Sequence, residues 1–254
     1  MKNVLITCAT SNMGSEISKA ISPKTNLFIT GRDEKKLSEL HKSLLVNRQG
    51  CVTTAKLDFF SSDSIDKCAE LATNGDGFDG VVFIIPRIPA SSEVFPDDEV
   101  WRELYEKYFI LPLRLIRKLV EKSAINSGCK IVFISGLSSK TALTNYSLNN
   151  CLRSAWLGQA KTMALSLASN KVSVNTISLG GVMTESYTNK MHAKAKANNL
   201  SFEKLMEDEV SNIPLQKYAS VDEVTSAILA LMGPLSNHMT GQNILLDGGF
   251  NRSY

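Results

Sequence analysis

The sequence predicts an α/β protein in which a doubly wound parallel sheet of about seven strands carries helices on both faces. Short β-rich apolar runs alternate with segments of helical periodicity along most of the 254 residues, and the connections between them are short. The first 14 residues pass from an apolar strand through a polar loop to Gly14, where a helical pattern begins. No repeat, low-complexity tract or Pro/Gly linker interrupts the chain, which predicts one domain over 1–254.

The individual elements follow from this alternation. The apolar runs predict strands near 3–7, 26–30, 51–57, 80–85, 130–135, 172–178 and 243–247. The helical patterns lie near 14–22, 33–46, 62–73, 98–125, 146–169, 201–210 and 220–232. Two connections are long, a proline-containing loop at 86–96 and an insertion at 179–213 with its own helical piece. Both follow the carboxyl ends of strands, where open α/β sheets bind ligands, so we expect 179–213 to be lid-like.

The composition excludes several classes of function. The net charge of +3 is spread evenly and gives no basic patch for nucleic acid or an anionic membrane. The longest purely apolar run, Val81 to Ile85, is too short to cross a bilayer, and no secretory signal precedes the first strand. The five cysteines are dispersed and the three histidines lie far apart, so we expect free thiols, a cytoplasmic location and no metal site.

The stretch from Met1 to Gly14, MKNVLITCATSNMG, has the form of a dinucleotide-binding opening. In such a loop the pyrophosphate lies on free N–H groups at the helix N-terminus, and glycines let the backbone approach it. Only the last of these glycines, Gly14, is present. Cys8 and Asn12 occupy the positions where two further glycines are expected.

A set of short motifs, in a characteristic order and spacing, carries a family resemblance. They are Thr7 to Gly14, Thr30-Gly31-Arg32, Leu57-Asp58, Asp79 to Val82, Trp101, Lys130 to Ser135, Val174-Asn175, Gly180 with Thr184, Ile213-Pro214-Leu215 and Leu245 to Gly249. With these motifs the chain resembles the short-chain dehydrogenases/reductases over essentially its full length, and most closely their 3-oxoacyl-(acyl carrier protein) reductase group. The resemblance implies a Rossmann-type fold and an oxidoreductase that uses a nicotinamide dinucleotide.

The catalytic positions of that family are all replaced here. The family places a serine at the end of the fifth strand, a tyrosine thirteen residues on and a lysine four further; this sequence has Gly136, Asn149 and Arg153. The family asparagine of the preceding helix aligns with Tyr108, and the Asn-Asn-Ala-Gly stretch after the fourth strand reads Phe83 to Pro86. Ketone reduction needs a proton donor, and neither glycine nor asparagine supplies one. Arginine keeps the positive charge but does not release a proton at ordinary pH.

Nearby residues offer substitutes for the missing groups. Tyr146 precedes Arg153 by seven residues, so two helical turns would place both on one face. The pair resembles that of the enoyl-(acyl carrier protein) reductases, in which the tyrosine and the base are also separated by this wider spacing but the base is lysine. The alternative is that Tyr146 lies in the loop before the helix and only packs there. Ser138 and Ser139 are further hydroxyl groups near the missing serine, although such residues are ordinary turn formers.

The resemblance also implies a set of cofactor-binding positions. Arg32 follows the second strand, and Gly31 replaces the acidic residue of NAD-selective members, which favours NADP(H) over NAD(H). Cys8, Asn12 and the bulk of Phe83 to Pro86 oppose binding, so we expect NADP(H) binding to be weakened or lost. The implied cofactor-binding residues are Thr7, Ser11, Asn12, Met13, Gly14, Arg32, Asp58, Val182 and Thr184.

These observations leave several functions open. The first is a diverged reductase scaffold without efficient redox activity, a pseudoenzyme or partner subunit. The second is an NADP(H)-dependent oxidoreductase acting on a carbonyl or acyl-type substrate through Tyr146 and Arg153, or a non-redox lyase or isomerase that uses Arg153. A third is a regulatory module that senses a nucleotide. The resemblance further implies a homodimer or homotetramer, or a mixed oligomer with an active reductase.

Overall fold

The computed structural model describes residues 1–89 and 91–253. Its strands and helices, in chain order, are β1 (Asn3–Ile6), α1 (Asn12–Ala20), β2 (Asn26–Gly31), α2 (Glu34–Leu45), β3 (Val52–Lys56), α3 (Ser62–Thr73), β4 (Phe78–Ile84), α4 (Asp98–Tyr105), α5 (Leu111–Glu121), β5 (Ile125–Gly136), α6 (Ser147–Ser166), β6 (Ser173–Leu179), β7 (Val182–Met183), α7 (Glu185–Ala197), α8 (Phe202–Val210), β8 (Ala219–Ser220), α9 (Val221–Met232) and β9 (Asn243–Leu246).

The sheet confirms the predicted fold class. Within the described residues seven strands form one sheet in the order β3-β2-β1-β4-β5-β6-β9, and every neighbouring pair is parallel. The strand order reverses between β1 and β4. In sheets of this kind that reversal opens a crevice at the carboxyl ends of the strands, which is the usual ligand position.

The core has two layers because each strand alternates its side chains between the two faces of the sheet. Leu5 of β1 packs on the side of α3, α5 and α6, whereas its neighbours Val4 and Ile6 pack on the side of α1, α2 and α9. All three are fully buried. Burial on both faces explains why the strands read as short continuous apolar runs.

Some predicted boundaries differ from the observed ones. The helix predicted over 98–125 ends at Glu121, because β5 already begins at Ile125, and a π-helical turn at Glu106–Ile110 separates α4 from α5. The first helix begins at Asn12 rather than Gly14, because the Ser11 side chain accepts a hydrogen bond from the Gly14 N–H and acts as its N-cap.

The 179–213 segment contains a helix that the sequence did not predict. Besides α8 it holds α7, whose polar sequence buries only Met191 and Ala195. These two side chains pack against Leu205 of α8 in a small cluster of their own. A helix with so narrow an apolar stripe has little periodicity to detect.

Candidate functional site

A groove runs along the carboxyl ends of the strands where the strand order reverses. It consists of three adjoining cavities. The β2-side cavity, of about 460 Å³, lies at Arg32, and the central cavity, of about 280 Å³, lies at Met13. The lid-side cavity, of about 640 Å³, is named for the 179–213 segment that lines part of it. Arg87, in the loop after β4, lines all three. Arg153 lines the central and lid-side cavities.

The β1–α1 loop keeps a close backbone approach despite its missing glycines. A Cβ atom on Gly14 would lie 2.5 Å from the carbonyl oxygen of Cys8, so position 14 requires glycine. Cys8 itself has a positive φ of 47°, a left-handed conformation that costs a non-glycine residue roughly 1–2 kcal/mol. The loop therefore retains its turn with a strained cysteine in the place of glycine.

Other predicted cofactor residues of this loop have different surroundings. The buried Thr7 hydroxyl donates to the Ile84 carbonyl and accepts from the Ile84 N–H, both at 2.7 Å, and so joins β1 to β4. Asn12 is exposed at the start of α1, where the first N–H groups of a helix have no partner within it. Ser11 lines the β2-side cavity and Met13 lines the central one.

The β2-side cavity has the charge pattern of an anion site. Arg32 and Lys36 line it, and in the part of the chain that the structure describes neither forms a salt bridge. Its two carboxylates are used locally: Asp33 accepts from the first N–H groups of α2, and Asp58 accepts from the Phe60 N–H. With Arg87, three cations and two carboxylates among the described residues line this cavity, which leaves a net positive charge.

Gly31 has a steric role beside this cavity. A Cβ atom on Gly31 would lie 2.7 Å from the Thr10 side chain, so the threonine fills the space that an acidic side chain at position 31 would need. The absence of an acidic side chain at position 31 is thus built into the packing around Thr10.

The end of β5 shows what replaces the family serine. A Cβ atom on Gly136 would lie 2.5 Å from Cζ of Arg153, so the guanidinium covers the glycine and occupies the space of a side chain there. Nη1 of Arg153 also donates a 3.0 Å hydrogen bond to Oγ of the buried Ser138. Burial lowers the pKa of the Arg153 guanidinium, the nearby Tyr146 phenol opposes this shift, and the Arg87 charge adds to it.

Tyr146 meets Arg153 in the lid-side cavity. Of the two alternatives for Tyr146, a place on one face of the helix with Arg153 is wrong, and a place in the loop before the helix is confirmed, because Tyr146 is the N-cap residue of α6 and has φ −136° and ψ 36°, outside the helical region. Its side chain still lines the cavity that Arg153 lines. The two predicted catalytic candidates therefore line the same cavity, although Tyr146 lies before α6 and Arg153 lies within it.

Two of the remaining family positions, Asn149 and Tyr108, lie outside the groove. Asn149 is buried, and its Nδ2 donates to the Pro89 carbonyl at 3.1 Å, which ties α6 to the loop after β4. Tyr108 lies on the π-helical turn with its ring against Phe60, at a centroid distance of 5.1 Å. Neither is among the described residues that line the three cavities.

Ser139, Val182 and Thr184, which the sequence analysis also named, have defined surroundings. The buried Ser139 hydroxyl is hydrogen-bonded to Oγ of Ser178 in β6, at 2.7 Å. Val182 lines the lid-side cavity. The Thr184 hydroxyl accepts from the Tyr187 N–H at 3.2 Å as the N-cap of α7, so its side chain serves the helix.

Sequence reasoning missed several residues of the lid-side cavity, namely Arg87, Glu209, Tyr218 and Asp247. Glu209 forms an ion pair with Lys194, and burial raises the pKa of the Tyr218 phenol, which also contacts Glu209. Asp247 accepts from the N–H groups of Gly249 and Asn251, both at 2.9 Å. Two of them could have been found: Asp247 lies in the Leu245 to Gly249 motif, and Arg87 follows β4 at the edge where ligands bind.

Two kinds of site were not found in the described residues. They contain no group of three or more His, Cys, Asp or Glu side chains that could hold a metal ion. No helix among them is both long enough and apolar enough to cross a membrane.

The sheet and the groove define a Rossmann-type fold, and the comparisons identify the family. A family model described as enoyl-(acyl carrier protein) reductase matches residues 9–251. The chain belongs to the short-chain dehydrogenase/reductase family.

Similar proteins include several named reductases. L-xylulose reductase from Mesocricetus auratus is 32% identical over 176 residues, which is 67% of this chain and 68% of that protein. L-xylulose reductase from Bos taurus is 26% identical over 259 residues, covering 98% and 96% of the two chains. D-erythrulose reductase from Gallus gallus is 30% identical over 157 residues, 60% of each chain.

Solved structures show the same fold. L-sorbose reductase from Gluconobacter frateurii, complexed with NADPH and L-sorbose, has a TM-score of 0.90 at 20% identity and covers 100% of this chain and 97% of its own. An NADPH-bound short chain oxidoreductase from Pseudomonas aeruginosa PAO1, described as containing an atypical catalytic center, has a TM-score of 0.86 at 20% identity, with coverage of 100% and 98%.

Proposed function

We propose that this protein is an NADP(H)-dependent oxidoreductase that acts on a small carbonyl compound, with Tyr146 and Arg153 in place of the tyrosine and lysine of its family. The observation that carries the proposal is that these two side chains line one cavity of about 640 Å³ at the carboxyl edge of the sheet. The wider Tyr–base spacing resembles that of enoyl-(acyl carrier protein) reductases, the description carried by the matching family model.

The residues of the groove fit NADP(H). The close approach at Gly14 and the N-terminus of α1 favour the pyrophosphate, and Arg32 with Lys36 favours a 2′-phosphate. Cys8 and Asn12 add side chains where family members have glycine, so the affinity is lower than theirs. L-sorbose reductase and the Pseudomonas aeruginosa oxidoreductase, which share this fold, hold NADPH.

The chemistry divides between cofactor and protein. NADPH, when bound, supplies the hydride that adds to the carbonyl carbon. Tyr146 donates its phenolic proton to the carbonyl oxygen, and water returns a proton to the phenolate. Arg153 stabilises the phenolate by its charge, which does not depend on pH in the ordinary range. Its N–H groups also stabilise negative charge on the carbonyl oxygen, the task of the missing serine.

We expect slow turnover, because Gly136 contributes no hydroxyl group to hold the carbonyl oxygen. General acid catalysis contributes roughly 10²–10⁴-fold. Tyr146→Phe should therefore lower the rate of NADPH oxidation by about 10²-fold or more, with the dissociation constant for NADPH unchanged.

The matched control is Tyr108→Phe, because this phenol lies against Phe60 outside the groove. It should retain the rate of the unmodified protein. NADPH oxidation over a panel of ketoses, 2-oxo acids and 3-oxoacyl thioesters provides the readout. Equal rates for Tyr146→Phe and the unmodified protein would overturn the role of Tyr146.

A second candidate is a redox-inactive scaffold, favoured by the loss of the proton donor at Asn149, whose amide is bonded to Pro89. In this case the chain works as a subunit of a homodimer, a homotetramer or a mixed oligomer with an active reductase. NADPH binding without oxidation by any substrate of the panel would favour this candidate. Light scattering of the protein alone and with a related active reductase distinguishes the assemblies.

A further inference from the structure

We propose that the lid-side cavity selects substrates that carry a carboxylate beside the reacting carbonyl, a 2-oxo or 3-oxo acid, and that Arg153 and Arg87 bind this carboxylate. The proposal builds on the proposed function only in treating this cavity as the substrate site. It differs from the neutral sugars in the names of the similar reductases.

Two guanidinium groups face the same space. Arg87 and Arg153 both line the lid-side cavity, and both also line the central cavity next to it. They are close enough for the Arg87 charge to lower the pKa of Arg153. Two like charges beside one partly buried cavity repel each other, and an anion between them removes that cost.

The carboxylates of the cavity do not neutralise these arginines. Glu209 is paired with Lys194, and both oxygens of Asp247 accept backbone N–H groups. In residues 1–89 and 91–253 neither Arg87 nor Arg153 has a carboxylate oxygen within 4.0 Å. With Glu209 paired to Lys194, Asp247 is the one lining carboxylate in the described residues that faces the two arginines without a cation of its own, so the cavity keeps a positive excess of one charge that an anionic ligand can balance.

Arg153 is held in place but not saturated. Its guanidinium lies over Gly136 and gives one hydrogen bond, to Ser138. A guanidinium has five N–H donors, and no Arg153 nitrogen is among the buried side-chain atoms that lack a partner. Its other donors therefore reach the cavity, where a carboxylate can accept two parallel hydrogen bonds.

The position of Tyr146 determines where the carbonyl lies. A carboxylate bound to Arg153 places the neighbouring carbonyl group in the same cavity as the Tyr146 phenol. A neutral sugar would leave the excess positive charge of the two guanidinium groups unbalanced, and an unbalanced charge at a partly buried site opposes binding. Recognition of a charged group in this way typically discriminates against neutral analogues by about 10²-fold.

Oxamate and oxamide provide a matched pair of probes, because they differ in one carboxylate and neither is reduced. The test is calorimetric titration of each probe into the NADP⁺-saturated protein and into the protein alone. We expect oxamate to bind at least tenfold more tightly than oxamide in the NADP⁺ complex. Arg87→Gln, in an exposed residue that should not disturb folding, and Arg153→Gln should each weaken oxamate binding about tenfold or more.

Arg32→Gln is the matched control, because Arg32 lines only the β2-side cavity. It should weaken NADP⁺ binding and leave the affinity of the protein alone for oxamate unchanged. Equal binding of both probes, or full oxamate affinity in Arg87→Gln, would overturn the proposal. Loss of oxamate binding on NADP⁺ saturation would also overturn it, since the arginines would then serve the cofactor phosphates. Failure of NADP⁺ to bind would count against the proposed function alone.

Discussion

The β1–α1 loop and the β5–α6 segment lie on two sides of one groove, and their substitutions affect different things. In the β1–α1 loop, Cys8 replaces a glycine, yet the backbone keeps the approach to Gly14 that a nucleotide requires. In the β5–α6 segment the difference lies in the side chains: the resemblance places Gly136 at the serine position of the family and Arg153 at its lysine position. Binding through the backbone tolerates such changes, whereas proton transfer depends on the side chains themselves.

The residues at positions 136 and 153 depend on each other, because their atoms are in contact. The guanidinium lies in the space that opens when position 136 has no side chain. The space at the end of β5 is therefore filled, but by a guanidinium in the place of a hydroxyl group. Fold alone does not determine which reaction the groove carries out.

The largest effect is expected in the β1–α1 loop. In Gly14→Val the new Cβ atom would lie 2.5 Å from the Cys8 carbonyl oxygen and 2.7 Å from Ala9 Cα, both backbone atoms that cannot move alone. We expect the free energy of unfolding to fall by about 3 kcal/mol and NADPH binding to be lost. Urea denaturation and NADPH fluorescence measure the two effects. Gly75→Ala, in an exposed glycine with no atom within 4 Å, is the control and should differ by less than about 0.5 kcal/mol.

A smaller effect is expected at the end of β5. Gly136→Ser meets the end of a flexible side chain, so the Arg153 guanidinium moves and the free energy of unfolding falls by about 1–2 kcal/mol. Combining it with Arg153→Lys, which removes the branched end, should recover most of this loss. A double-mutant cycle with additive effects would contradict the contact.

The thiols on the two sides of the groove should react differently with alkylating reagents. Burial raises the pKa of the Cys8 thiol to about 12, whereas Cys151 at the start of α6 is exposed. Only the thiolate reacts, so Cys8 should be labelled after Cys151 at pH 8, and its rate should rise about tenfold per pH unit from 8 to 11. Mass spectrometry of timed samples identifies the labelled residue. Rapid labelling of Cys8 at pH 8 would show that the loop opens in solution.

The smallest effect is expected at Gly158, in the middle of α6, where a Cβ atom would meet nothing within 4 Å. Gly158→Ala should raise the free energy of unfolding by about 0.5–1 kcal/mol, because alanine loses less backbone entropy in a helix. A higher midpoint of thermal unfolding, with NADPH binding unchanged, is the expected result. A lower midpoint would indicate that another surface approaches this glycine.

Most of the fold followed from the sequence, because apolar runs and helical periodicity are local signals. The seven strands of the main sheet were predicted near their observed positions. That Gly136 and Asn149 stand at the serine and tyrosine positions of the family is implied by the resemblance and stays a prediction. Helix α7 was missed because only Met191 and Ala195 of its side chains are buried.

The site was harder to predict, since it depends on contacts between distant parts of the chain. Nothing local shows that Arg153 covers Gly136, or that the Thr7 hydroxyl is used by Ile84, 77 residues away. Arg87 was missed because its position beside three cavities depends on the path of the loop after β4. A solvent-exposed arginine in a loop shows no periodicity in the sequence that would distinguish it.

The contact between Arg153 and Gly136 also limits how this protein can have changed over time. A serine at position 136 has no room beside the present position of the guanidinium, so a chain with serine there must place its arginine elsewhere. A change to serine at 136 alone therefore meets the arginine. The two positions are coupled in this way, and relatives with the same arginine conformation should have glycine at the position of Gly136.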